Sequence, residues 1–399
     1  MSKLINFKPF KDFLKSGQTG GLLLMLAVII SLIIANSPLH ESFLGVLEYP
    51  LGRDFGNIHL RYPLELWIND GLMAIFFLLV GLEIKREILE GELSSPKKAA
   101  LPVFAAMGGM LVPAGIYAMI DRGTETAHGW GIPMATDIAF ALAIVSMLGK
   151  RVPTSLKIFL AALAIVDDLG AILVIAIFYT AEVHLDQLLY SGIILVLLTA
   201  MNLAGVKKLI FYIIPGIFLW YFVHHSGIHA TIAGVLLAFT IPTNPVKEAS
   251  PLEKLEHGLT GPVNYLIMPI FALANTNIHF ESGMLEGLAS PLGLGIICGL
   301  VIGKPLGISV FSYISVKLGL SSLPSRSGWK HIIGLGFLGG IGFTMSVFIA
   351  LLSFKEPLFQ AEAKFSILVA SLLAGTAGYV FLNSLYKKRV KKILQQKGC

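Results

Sequence analysis

The chain has 399 residues, 55% of them hydrophobic and only 14% charged, where a soluble globular domain carries roughly a quarter charged residues. An ordinary water-soluble globule is excluded, and the composition is that of a membrane protein. The net charge of +6 raises the question of an anionic partner, while two cysteines, Cys298 and Cys399, build neither a disulfide framework nor a Cys/His metal site.

About 20 mostly apolar residues carry a helix across the hydrocarbon core, and twelve such runs follow one another. The first covers 17–36. A basic stretch precedes it, but the run is long for a signal peptide, and its removal would leave eleven spans with the new N-terminus outside. The loop at 39–62 alternates in short segments around 43–49 and 58–61, separated by Gly52, Gly56 and Asn57, which predicts a small extracellular β-hairpin. A hairpin edge can pair with a second copy, so a homodimer is expected. Further spans are expected near 63–83, 99–120, 129–148, 156–179, 188–203, 209–223, 226–241, 259–275, 291–316, 332–354 and 365–386, before a basic tail at 387–399. Pro215, Pro242 and Pro269 blur the sixth to ninth boundaries.

Cytoplasmic loops are enriched in Lys and Arg. With both termini cytoplasmic, twelve spans place 24 basic residues inside and 5 outside, the latter being Arg53, Arg61, Arg122, Lys355 and Lys364. That asymmetry supports the span number, and it accounts for the net charge without an acidic partner or nucleic acid.

Charge at membrane depth is costly and marks function. Asp137 falls in the fourth expected span, Asp167 and Asp168 at the middle of the fifth, and Lys304 near the middle of the tenth. Consecutive helical residues point about 100° apart, so one of Asp167 and Asp168 can line a cavity while the other reaches a neighbouring helix. A neutralised cluster that only glues helices is one reading. Three acids against one lysine favour another, because neutralising one leaves two in need of a proton or a cation. Burial and mutual repulsion favour the protonated acid, and a bound monovalent cation favours the ionised one. The same oxygens therefore hold a proton or a metal ion but not both, which is the chemical basis of exchange, and their titration belongs to the cluster.

The fourth run carries Gly131 and Pro133, and the eleventh Gly334, Gly336, Gly339, Gly340 and Gly342, sequences that resist a continuous helix. Irregular backbone at membrane depth is tolerated where it faces protein or a cavity. Interrupted segments in corresponding positions of two halves point to the site of an inverted-repeat transporter, with spans three to five (97–179) and ten to twelve (291–386) as the halves. Thr136 and Thr344 are each followed four residues later by Phe140 and Phe348. Glycines that simply mark close helix packing are the alternative for the eleventh run.

The motifs Ala-Thr-Asp-Ile-Ala-Phe-Ala-Leu at 135–142, Ala-Ile-Val-Asp-Asp-Leu-Gly-Ala-Ile at 164–172, Gly-Lys-Pro-Leu-Gly at 303–307 and Gly-Ile-Gly-Phe-Thr-Met-Ser at 340–346 resemble those of the NhaA family of bacterial Na⁺/H⁺ antiporters. Trp-Ile-Asn-Asp-Gly-Leu-Met-Ala at 67–74 and Val-Gly-Leu-Glu-Ile-Lys-Arg-Glu at 80–87 extend the resemblance, which runs from about Gly20 to Tyr379. The family is itself a known inverted-repeat example. The resemblance implies an all-α polytopic protein of the bacterial cytoplasmic (inner) membrane with two broken, crossing helices. It also implies an electrogenic, pH-regulated exchanger that expels Na⁺ or Li⁺ on inward H⁺ flow, with no cofactor and no structural metal. Asp168 is then the principal cation and proton ligand beside Asp167, and Asp167 pairs with Lys304. Thr136, Asp137 and Thr344 lie at the helix crossing, where Asp137 offsets positive half-helix ends and Lys304 negative ones. Asp70 sits in the outward funnel. Glu83, Arg86, Glu87, Glu253, Lys254, Glu256 and His257 belong to a cytoplasmic pH-sensing region. Glu253 stands where a basic residue is usual in the family, and Thr260 where a second histidine is; both bear on the pH threshold and leave the core site intact.

Two readings stay open from the residues alone. His229 is a hydrogen-bonded interface histidine or a pH sensor, and 83–87 is a solvated helix end or part of that sensor. Two other functions compete. An intramembrane aspartyl protease would use Asp137 and Asp167 sharing a proton, but needs no third acid and no buried lysine. A cation channel would favour rings of charge in an oligomeric pore.

Overall fold

Apolar runs of this length must satisfy their own backbone groups in lipid, and helices do so. The computed structural model describes residues 8–54, 59–180, 183–243, 250–280 and 283–396; Lys3, Lys247, Lys397, Cys399 and positions 55–58 of the expected hairpin lie outside the described residues. The chain is mostly helical, and each of the twelve apolar runs contains helix. Among the described residues six helices are long and apolar enough to cross a membrane, or up to eight if each of two bent pairs is one span. Large apolar side chains such as Leu189, Val196, Leu203 and Ile217 are at least half exposed, a surface suited to lipid and not to water.

The described chain divides into two compact units, one of residues 1–18, 92–171 and 281–399 and one of residues 19–91 and 172–280. In the first unit, the Pro96–Ile120 helix lies along the Lys304–Lys317 helix. Their backbones nearly touch at Gly108 and Gly307, where a Cβ on either glycine would run into the other's carbonyl oxygen; small residues allow this approach between membrane helices. Two elements are interrupted here. Ala127–Met134 is a 3₁₀ helix, residues 135–137 are extended, and an α-helix resumes at Ile138–Met147. Trp329–Gly339 and Phe343–Ser353 meet at 46° across the break at 340–342. The fourth run is interrupted, but at residues 135–137 and not at Gly131–Pro133, which lie within the 3₁₀ helix, while the eleventh breaks at the glycines before Phe343 as expected. A π-helical turn at Gly299–Gly303, which the sequence did not signal, immediately precedes Lys304.

The second unit packs Leu82, Tyr212, Leu219, Val223, Leu237 and Leu252 into its core. It contains two further π-helical turns, Trp67–Leu72 and Val263–Ile267. Its only strands among the described residues are Pro50–Leu51 and Tyr62–Pro63, antiparallel, with Pro50 opposite Pro63 and Leu51 opposite Tyr62. The segment 43–49, expected to be extended, is instead helical over His40–Leu47. Phe43, Leu44 and Leu47 turn inward, a spacing of one and four residues that follows the helical period and not the alternation of a strand. The eighth run, expected at 226–241, is α-helical only over Ile232–Thr240.

Candidate functional site

The chemistry-bearing residues of the first unit converge on the break at 135–137. The Thr154–Phe178 helix carries Asp167 and Asp168 near its middle, 0% and 2% exposed. Lys304 begins the helix after the π-turn and is fully buried. Its Nζ forms an ion pair and hydrogen bond with Asp167 Oδ2 and donates to Thr136 Oγ1 at 3.0 Å. Thr136 Oγ1 lies 2.7 Å from Asp167 Oδ2 and 2.8 Å from the Gly339 carbonyl oxygen. A hydroxyl has one proton to donate, so Thr136 serves the carboxylate or the helix-ending carbonyl, not both. Asp168 is close enough to act electrostatically on Lys304. Asp167 Oδ1 has no hydrogen-bond partner among the described residues. A buried carboxylate oxygen without a donor is a place for a proton or a cation, and carboxylate oxygens are the ligand type that hard cations take.

Asp137 stands where two half-helices begin. Its Oδ1 accepts from Phe140 N at 3.0 Å, capping its own helix, and its Oδ2 accepts from Thr344 N at 3.1 Å and Thr344 Oγ1 at 2.5 Å. The Asp137 backbone N–H donates to the Ile341 carbonyl at 2.6 Å. Unsatisfied N–H groups and the helix dipole make both starts electropositive, and one carboxylate answers both. Two residues that sequence reasoning missed complete the crossing. Ser346 Oγ donates to the Ile132 carbonyl at 2.7 Å, and Ser371 Oγ accepts from Phe343 N at 3.1 Å. Serine is too common in helices for either to have stood out.

The residues of the expected pH-sensing region lie in the second unit. Arg86 Nε meets both Glu256 oxygens at 3.0 Å, and Arg86 Nη1 meets Glu87 Oε1 at 2.8 Å. Burial pushes the Glu256 carboxyl above its ordinary range, and Arg86 opposes that push. Glu83 is buried beside them and interacts electrostatically with Glu256, Arg86 and Glu87. His257 also acts on Glu256 but is exposed, as is Lys254. Glu253 faces a different task. It closes a capping box with Ser250, accepting from Ser250 N at 2.8 Å while Ser250 Oγ accepts from Glu253 N at 3.2 Å.

Asp70, on the Trp67–Leu72 π-turn, is joined by His229 and by His224, which sequence reasoning did not single out. His224 Nδ1 lies 3.1 Å from Asp70 Oδ2 and His229 Nε2 3.4 Å from Asp70 Oδ1. His229 Nδ1 is 2.8 Å from Thr231 Oγ1.

Comparison with known proteins identifies the family of the chain. The profile of the family described as Na⁺/H⁺ antiporter 1 matches residues 11–382. The chain is 62% identical over 390 residues to the Na⁺/H⁺ antiporter NhaA 2 of Flavobacterium johnsoniae, covering 98% of this chain and 96% of that one. It is 50% identical over 381 residues to the NhaA antiporter of Flavobacterium psychrophilum, covering 96% and 97%. With a Shewanella NhaA antiporter it shares 48% over 385 residues, covering 96% and 99%. A family match over nearly the whole length, in a helical membrane protein that buries two aspartates and a lysine together, leads to one assignment: the chain belongs to the Na⁺/H⁺ antiporter 1 family, whose members are transporters and not enzymes.

Proposed function

We propose that this chain is an electrogenic Na⁺/H⁺ antiporter of the bacterial cytoplasmic membrane, also accepting Li⁺, that expels the cation on inward proton flow under pH control. The observation that carries this reading is the fully buried Lys304–Asp167 pair next to Asp168. While the pair is closed, Lys304 and Asp167 neutralise one another, and Asp168 is left to take a proton or Na⁺. A cation that draws on both carboxylates opens the pair and competes with the Lys304 ammonium. Exchange at Asp168 alone is electroneutral, so electrogenic exchange needs a second proton, carried by Asp167 or by Lys304. Each net charge then gains about 2.3 kcal/mol per 100 mV of membrane potential.

Asp137, Thr136 and Thr344 hold the crossing in this scheme. The loop charge count supports twelve spans with both termini cytoplasmic, and the occurrence of both broken elements in one unit supports inverted repeats at 97–179 and 291–386. The short strand pair at 50–51 and 62–63 supports a homodimer formed through the 39–62 loop. Asp70 belongs to the outward funnel. Arg86 with Glu83, Glu87 and Glu256 supports a cytoplasmic pH-sensing cluster, to which Lys254, His257 and Glu253 are adjacent in sequence. Asp137 and Asp167 are engaged separately, the first by half-helix donors and the second by Lys304 and Thr136, which does not suit an aspartyl protease dyad.

In liposomes, the purified protein is expected to dissipate an imposed pH gradient when Na⁺ is added, and Asp168→Asn is not. A surviving Na⁺ response in Asp168→Asn overturns the site assignment; cleavage of a membrane substrate with no Na⁺ effect overturns the function. Protons released per Na⁺ bound in Lys304→Gln identify the second carrier, because an unchanged number removes the lysine from that role.

A further inference from the structure

The Lys304–Lys317 helix buries polar side chains along one face. Lys304, Ile308, Ser312 and Ser315 are all 0% exposed, and at about 100° per residue they fall within roughly 80° of one another around the helix. Ser312 Oγ is buried with no hydrogen-bond partner among the described residues. Ser315 Oγ lies 2.8 Å from Ser321 Oγ, and Ser321 is half-buried in the loop that follows. A file of hydroxyls therefore leads inward from the surface and ends at Ser312, two turns or about 12 Å along the helix from Lys304.

Ile308 stands between them, one turn from each. Its side chain fills a niche that two glycines leave open. A Cβ added at Gly109 would stand 3.0 Å from Ile308 Cγ1 and 3.6 Å from Lys304 Cδ, and one added at Gly339 would stand 2.8 Å from Ile308 Cδ1 and 3.9 Å from Thr136 Oγ1. Ile308 is thus wedged between the Pro96–Ile120 and Trp329–Gly339 helices, beside the Lys304 stem and close to Thr136, while Phe311 on the next turn packs against Gly108. An apolar constriction between polar groups keeps water out, and with it the protons that water carries.

We propose that Ile308 is a seal that separates the Ser312–Ser315–Ser321 hydroxyls from Lys304 and Thr136, and that it thereby ties proton movement to the cation. With Ile308 in place, protons reach the Lys304–Asp167 pair only by the route that the cation uses. With the seal opened, water bridges Ser312 to Thr136 and protons cross without Na⁺. The side of the membrane on which Ser321 opens follows from the twelve-span reading above, and the use of a seal from the antiport reading; the packing around Ile308 depends on neither.

Valine and threonine at 308 have nearly one shape and differ by a hydroxyl. A buried water needs several polar partners, and threonine adds one between Ser312 and Thr136 where valine adds none. Proton influx is measured with a trapped pH dye in liposomes that hold the full-length protein, free of Na⁺ and Li⁺, with the potential clamped by K⁺ and valinomycin. The parent and Ile308→Val should stay tight, and Ile308→Thr should leak about tenfold faster than Ile308→Val, the effect of roughly one added hydrogen bond. Adding Ser312→Ala to Ile308→Thr should remove most of the leak. Ile308→Ala, which makes room for water through a cavity alone, is the second variant, and its leak should likewise be lost with Ser312→Ala. Equal flux in Ile308→Val and Ile308→Thr, a tight Ile308→Ala, or a leak that Ser312→Ala leaves unchanged overturns the proposal and reduces Ile308 to packing. Na⁺-driven dissipation of a pH gradient by the parent, measured in matched vesicles, reports the antiport reading separately, so failure of one is not failure of the other.

Discussion

Replacing Asp137 by asparagine removes one charge and almost no volume, and it tests whether a carboxylate holds the two half-helices together. The parent side chain accepts three hydrogen bonds, from Phe140 N, Thr344 N and Thr344 Oγ1. A hydrogen bond to a charged group contributes roughly 1.5–3 kcal/mol and a neutral one about 1, so the three sum to about 6 kcal/mol. Asparagine keeps one acceptor oxygen and turns an NH₂ group toward a former donor, which leaves at most two neutral bonds. The loss is therefore about 4 kcal/mol, a large part of the 5–15 kcal/mol that is typical of whole proteins. At about 2–4 °C per kcal/mol for sizeable chains, the thermal midpoint in detergent is expected to fall on the order of 10 °C. Na⁺ transport in liposomes should fall with it, because the break at 135–137 also carries Thr136, the neighbour of Asp167 and Lys304. A variant that melts and transports like the parent would show that Asp137 is not acting as an ionised cap, and the account of the crossing would fail.

Three other outcomes follow from particular contacts. Gly307→Val drives a side chain into the Gly108 carbonyl; at roughly 1–3 kcal/mol for overpacking, the helix carrying Lys304 shifts, and Na⁺ transport should drop well below the parent while circular dichroism stays helical. Unchanged transport would mean that Lys304 does not depend on this close approach. Glu253→Lys breaks the capping box, costing about 1 kcal/mol, so hydrogen exchange of amides near 253 should quicken about 5-fold, with Glu253→Gln retaining most of the protection. Lys85 donates to the carbonyls of Phe239 at 2.7 Å and Ile241 at 2.5 Å, and burial pushes its ammonium down to about 8. The unfolded chain keeps that proton up to about 10.5, so Lys85 favours the folded state increasingly as pH rises through 8. The difference in thermal midpoint between the parent and Lys85→Met should therefore shift toward the parent from about pH 8 to about pH 10, and a flat difference would remove Lys85 as the source.

The membrane-protein class, the helical class, the burial of Asp137, Asp167, Asp168 and Lys304 and the presence of two interruptions were legible in the chain itself. Length, apolarity and the cost of intramembrane charge act residue by residue and need no partner. Gly131, Pro133 and the glycines before Phe343 weaken a helix wherever it lies, so two breaks could be expected before any packing was known. The pairing of Lys304 with Asp167 and the place of Asp137 at two half-helix starts followed from the family resemblance and not from the residues alone; what only the tertiary structure decided was that Thr136 touches both Lys304 and Asp167, that Glu253 is engaged as a cap, and that His224 joins Asp70 from 154 residues away. Such contacts depend on crossing angles and on close approaches such as Gly108 against Gly307, which many sequences with the same hydropathy would not make. The π-turns at 67–72 and 299–303 were equally hidden, because one extra residue in a turn leaves no mark in composition, yet it decides the direction in which Asp70 and Lys304 point.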